Sequence, residues 1–214
     1  MRMSGGAGRP VPMEQSPDLR DSRDATALQR FQVGLAQFSD RVDRVRTGDW
    51  DRPTPDAEWS VRDLVRHLVD EHRWVAPLLS GNDIDAAGQI VAALPAGDPA
   101  GDWRSTAEVS ARAFGEPGAL DRDVALSYGP TPARGYLAEM TGDLAVHSWD
   151  LGRALGEDVQ LPDELARATL EMLAEAGDLS GSGYFAAPVG AAADASITDR
   201  LVALSGRRPD WTPG

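Results

Sequence analysis

The sequence predicts an all-α protein, a four-helix bundle with a long crossover connection and extra C-terminal helices. Two observations predict it. Four long stretches repeat apolar residues at helical spacing, and almost nothing alternates like a strand. Residues 115–134 hold three Gly and three Pro around a brief strand-like DVALSY, which reads as a crossover connection rather than a hairpin. Cys is absent, which removes disulfides, thiolate metal sites and a cysteine nucleophile together.

Taken in order, residues 1–23 are rich in Gly, Pro and charge. They are expected to form a disordered lead-in to a single domain over 24–214. A first helix is expected from Ala25 to Thr47, with Leu28, Phe31, Leu35, Phe38, Val42 and Val45 along one seam and Gly48 as its stop. The following loop has Pro53 and Pro55 to restrict it and Trp50 and Trp59 to anchor it. Ser60 reads as an N-cap, with Asp63 completing a weaker capping box, for a helix over 61–79 that buries Val61, Leu64, Leu68, Val75 and Leu78. His67 and Glu71 lie on or beside that stripe, whereas His72 points away from them and is expected in solvent. A short helix (Ile84 to Leu94) and a third long one (Asp102 to Phe114) precede the crossover. The fourth, Tyr136 to Leu155, aligns Leu137, Met140, Leu144, Leu151 and Leu155 and stops at Gly156. Pro162 opens a further helix with Leu165, Met172 and Leu179 inward, and a short helix near Ser196 to Leu204 precedes GRRPDW.

All 21 cationic residues are Arg, and the net charge is −13. That balance argues against nucleic acid or an anionic membrane as partner. No apolar run approaches the ~18 residues of a transmembrane helix, and no signal-peptide pattern opens the chain, so a cytoplasmic location is expected. An exposed bundle face would allow two copies to pair as a homodimer.

The fourth long helix also carries the chemistry. His147 falls on its apolar stripe, with Asp143 one turn before it and Asp150 one turn after. Such groups cost several kcal/mol to bury unpaired, and a metal ion would pair them. His67 on the second long helix, with Asp143 and His147, forms a candidate triad. Two His and one carboxylate leave a coordination position open, as in catalytic Zn²⁺ sites and in the facial arrangement used by Fe²⁺. Asp150 is better placed as an acceptor behind His147 or as an Arg partner. Glu71 is a candidate fourth ligand or base. Each element alone has a plainer account: a hydrogen-bonded core histidine, or an i,i+4 ion pair worth ~0.3–0.5 kcal/mol. Trp59, Trp74 and Trp149 read as packing residues. No G-x-S-x-G, P-loop or dinucleotide fingerprint is present, and Ser148 cannot converge with His147 and Asp150 as a hydrolase triad.

Three segments, EWSVRDLVRHLVDEHRW, GDLAVHSWDLGRALG and DRLVALSGRRPDW, resemble the actinobacterial metal-binding proteins of the DinB-like superfamily. These are related to the N-terminal domain of mycothiol-dependent maleylpyruvate isomerase. The resemblance runs from about Ala25 to Trp211. It implies an up-down-down-up bundle holding a divalent metal, commonly zinc, with nickel or iron as alternatives. Its ligands would be His67, Asp143 and His147, with Asp at 143 where the isomerase has Glu. It further implies a metal-dependent transferase or isomerase in which a low-molecular-weight thiol such as mycothiol meets a small electrophile. A non-catalytic metal-binding or ligand-sensing protein of the same fold is the alternative. Arg153, near the rim, is a candidate for orienting an acidic substrate.

Overall fold

The computed structural model describes residues 17–177 and 186–213. Residues 1–16 of the expected lead-in, and Leu179, lie outside the described residues. Among the described residues there are seven α-helices: α1 (Pro17–Val42), α2 (Val61–Leu79), α3 (Ile84–Ala92), α4 (Pro99–Gly115), α5 (Ala133–Ala154), α6 (Asp163–Ala176) and α7 (Ile197–Leu204). A 3-10 turn (Ala119–Asp121) and two short strands, β1 (Asp123–Leu126) and β2 (Gly129–Pro132), accompany them.

Boundaries follow the local chemistry. The limits of α2 are those read from sequence, because Ser60 and Asp63 form the reciprocal capping box. Helix α4 starts before the expected Asp102, since the Asp98 side chain caps Gly101 and Pro99 sits where a missing N–H costs nothing. Helix α1 already includes Pro17 to Arg23, which were expected in the lead-in, and it stops at Val42 rather than Thr47. The Arg41 and Arg44 guanidinium groups donate to the Gln37 and Asp40 carbonyls, while the Arg44 backbone N–H turns to Arg41 instead.

The crossover contains a hairpin after all. β1 and β2 pair antiparallel, with Val124 opposite Thr131 and Leu126 opposite Gly129. The Ala133 N–H donates to the Arg122 carbonyl, so in the alternating antiparallel ladder Thr131 and Gly129 occupy the bonded positions. Pro130 and Pro132 then fall where no N–H is required, and Gly129 takes the turn at φ +125°. Two prolines in four residues concealed a strand that tolerates them.

Four helices enclose the main core of Phe31, Phe38, Leu64, Leu68, Trp103, Phe114, Leu137 and Leu144. Helix α5 runs parallel to α1, since Asp24 meets Arg134, Gly34 faces Leu144, and Arg41 lies beside Gly152. Helix α4 runs opposite to α1, with Trp103 donating to Ser39 and Phe114 packing edge-on to Phe31. Helix α2 runs opposite to α5: His67 lies beside His147, while Leu79 accepts from Arg122, next to the start of α5. The other side of α5 meets α6 and α7 through Ala145, Val146, Trp149, Leu165, Leu201 and Val202. That second core explains why α5 is buried nearly all round rather than along one stripe. No helix among the described residues is long and apolar enough to cross a membrane.

Candidate metal centre

Antiparallel packing of α2 on α5 sets His67 opposite one turn of α5. Asp143 Oδ1 lies 3.5 Å from His67 Nε2 and 3.2 Å from His147 Nε2. The two imidazoles stand nearly edge to face, 5.1 Å between centroids. One donor atom from each of the three residues falls within 4.8 Å of the others. Ligand bonds of ~2.0–2.2 Å would span such a group. Asp143 Oδ2 is buried and accepts no hydrogen bond among the described residues. A buried carboxylate oxygen in that position is costly unless a cation takes it, so the donor set fits a divalent metal.

The electrostatics are those of a compressed ion cluster. Burial works to raise the Asp143 carboxyl, but the two imidazoles outweigh it and hold the group well below the carboxylate range. Burial likewise works to depress His147, yet Asp143 and Asp150 win and lift it to about 9. Glu71, one turn on from His67, is pushed up by burial, with His67 opposing and Asp143 adding to the rise. Glu71 is nonetheless exposed to solvent and is not one of the three residues that cluster.

Asp150 is where the sequence put it, behind His147. Its Oδ2 is 3.0 Å from His147 Nδ1, and the residue is fully buried. An Arg partner was expected of Asp150, but local spacing did not say which one. Arg207, after α7, approaches Asp150 Oδ2 to 3.1 Å and reaches Asp56 Oδ2 at 2.6 Å. Asp56, His147 and Asp150 also cluster closely enough to hold a cation. There the guanidinium already supplies the positive charge.

Trp59 was expected to anchor the loop and to pack, and it does pack against the main core. Its ring lies 4.7 Å from His67 and stacks on His147 at 5.6 Å, so the pre-α2 loop covers the triad. Its position directly before the Ser60 cap was the one available signal. His72 is the opposite case: expected in solvent, it is buried between Phe31 and Trp103, with Nδ1 3.0 Å from Ser110 Oγ. Burial depresses its pKa to about 4. Helix α4 packs on that face of α2, which a single-stripe reading leaves bare. Arg153 does not face the triad; it donates to the Trp211 and Glu157 carbonyls and lies over the Trp149 ring. Trp149 itself is buried in the second core, as expected of a packing residue.

Against known proteins, residues 31–152 match the family described as the mycothiol maleylpyruvate isomerase N-terminal domain. Two uncharacterized proteins from two strains of Mycobacterium tuberculosis are each 30% identical over 162 residues, covering 72% of this chain and 79% of theirs. Among solved structures, the mycothiol-dependent maleylpyruvate isomerase is similar at TM-score 0.58 and 18% identity, over 75% of this chain and 72% of that one. A histidine-to-alanine variant of that isomerase gives TM-score 0.57 at 17% identity with the same coverage.

Proposed function

The chain belongs to the mycothiol maleylpyruvate isomerase N-terminal domain family, and from that premise we propose a divalent-metal protein acting as a thiol-dependent transferase or isomerase on a small electrophile. Zinc is the metal proposed, two imidazoles and a carboxylate suiting it as they suit Fe²⁺, and His67, Asp143 and His147 would be its ligands. The observation that carries this reading is the convergence of three donor atoms from two helices beside an orphaned buried carboxylate oxygen. An ion held there would bind a low-molecular-weight thiol such as mycothiol, lower its pKa and present a thiolate for attack.

The protein's own groups divide the remaining work. Asp150 orients His147 through Nδ1, leaving Nε2 to face Asp143. Trp59 packs against both rings. Glu71, one turn on from His67 and open to solvent, is the candidate base beside the site. The helix directions support the up-down-down-up four-helix bundle of DinB-like proteins, and the net charge of −13 supports small-molecule partners over nucleic acid or an anionic membrane.

A second reading, metal-dependent sensing without turnover, is favoured by Asp143. The resemblance implies Glu there, and a side chain shorter by one methylene seats an ion differently. Elemental analysis after purification without chelator is expected to give about one metal per chain, lost in His147→Ala. Incubation with mycothiol and a panel of electrophiles then separates the readings. Saturable turnover lost in His67→Ala supports the enzyme; thiol binding without turnover supports the sensor. A metal-free protein that takes up no zinc would sink both.

A further inference from the structure

Behind the candidate ligands, one side chain from the far end of the described chain is fastened to the site. Helix α7 is followed by Gly206, at φ +84°, and the Arg207 N–H closes the turn on the Val202 carbonyl at 2.8 Å. This turn aims the Arg207 side chain inward, where it is almost fully buried. Nη1 donates to the Ser205 carbonyl at 2.9 Å, and Nη2 bridges Asp56 Oδ2 and Asp150 Oδ2 at 2.6 and 3.1 Å. The same Asp150 oxygen faces His147 Nδ1 at 3.0 Å. The oxygen that fixes the ring is thus itself fixed by the guanidinium. A carboxylate beside Nδ1 keeps the hydrogen on that nitrogen and commits Nε2 to the Asp143 side.

We propose that Arg207 is a positioning residue for the cation site, so that docking of the C-terminal segment and metal binding are thermodynamically linked. The proposal rests on the metal reading above. Linkage works both ways: what strengthens the segment's docking strengthens metal binding, and bound metal holds the segment down by the same free energy.

The test uses the full chain. Zinc affinity is measured by competition with a chromophoric chelator for the wild type, Arg207→Met and Arg207→Lys. Amide hydrogen exchange over residues 197–211 is followed in the wild type with and without zinc. Arg207→Met is expected to weaken zinc binding ~10–100-fold, with partial recovery in Arg207→Lys. Zinc is expected to slow exchange across 197–211. A folded Arg207→Met with wild-type zinc affinity overturns the proposal, since a purely structural arginine lowers stability without touching affinity. If that variant does not fold, the exchange measurement decides: added protection supports the link and unchanged exchange overturns it. Wild-type protein that binds no zinc sinks the metal reading and this proposal together, whereas zinc binding indifferent to residue 207 sinks this proposal alone.

Discussion

Asp143 is shared by two rings, and that sharing determines what a substitution there does. Asp143→Asn keeps the volume but removes the charge that both imidazoles face at 3.2–3.5 Å. The expected outcome is loss of zinc uptake, measured by elemental analysis. In the metal-free protein, the His147 pKa is expected to fall from its value of about 9, followed by NMR titration of the ring protons. An unchanged His147 titration would mean that Asp150 alone supports that imidazolium. The triad was legible because His67 lies on a strongly periodic helix and Asp143 and His147 are one turn apart on another. Trp59 and Asp56 were not, because a loop of prolines gives no period from which to place a side chain.

At the scale of the helix, close approach explains two glycines of α5 that propensity alone would disfavour. A Cβ at Gly152 would lie 2.4 Å from Val159 Cγ2 and 2.7 Å from Arg41 Nε. Val159 is branched and buried, so neither neighbour yields easily. Gly152→Ala is expected to destabilise by about 1–3 kcal/mol in urea unfolding. Gly142 is the control: a Cβ there meets the end of the Met172 side chain at 2.6 Å, and that side chain can swing aside. Gly142→Ala is expected to cost less than ~1 kcal/mol, and a larger loss than at Gly152 would contradict this account. The glycines read as ordinary helix residues in sequence because their neighbours come from α1, α6 and the α5–α6 connection. The hairpin escaped for another reason: proline is penalised in strands on average, whereas here both prolines fall at positions with no ladder bond. The limits of α2, by contrast, follow from residues that touch one another in sequence.

For the molecule as a whole, the two buried histidines set opposite arms of the stability profile of the metal-free protein. His72 has a folded pKa of about 4 against an ordinary 6.5. Below 6.5 the unfolded chain takes a proton that the folded chain refuses, so stability falls as pH drops from 6.5 towards 4. His147 has a folded pKa of about 9, so its contribution is complete below 6.5 and is lost as pH rises through 9. Each arm should approach a slope of ~1.4 kcal/mol per pH unit in urea unfolding, with His72→Leu flattening only the acidic one. An acidic arm that persists in His72→Leu would assign it to other groups. The tertiary facts least visible in sequence, Arg207 on Asp150 and Ser110 on His72, are pairings between distant residues that no local pattern encodes. The parallel pairing of α1 with α5 carries a consequence for biosynthesis. Asp24 and its partner Arg134 are 110 residues apart, and α4 gives α1 only part of its cover in the meantime. At ~5–20 residues per second, a ribosome leaves the apolar seam of α1 without its main partner for roughly 5–20 s. During that interval the nascent helix is a ready client for a chaperone.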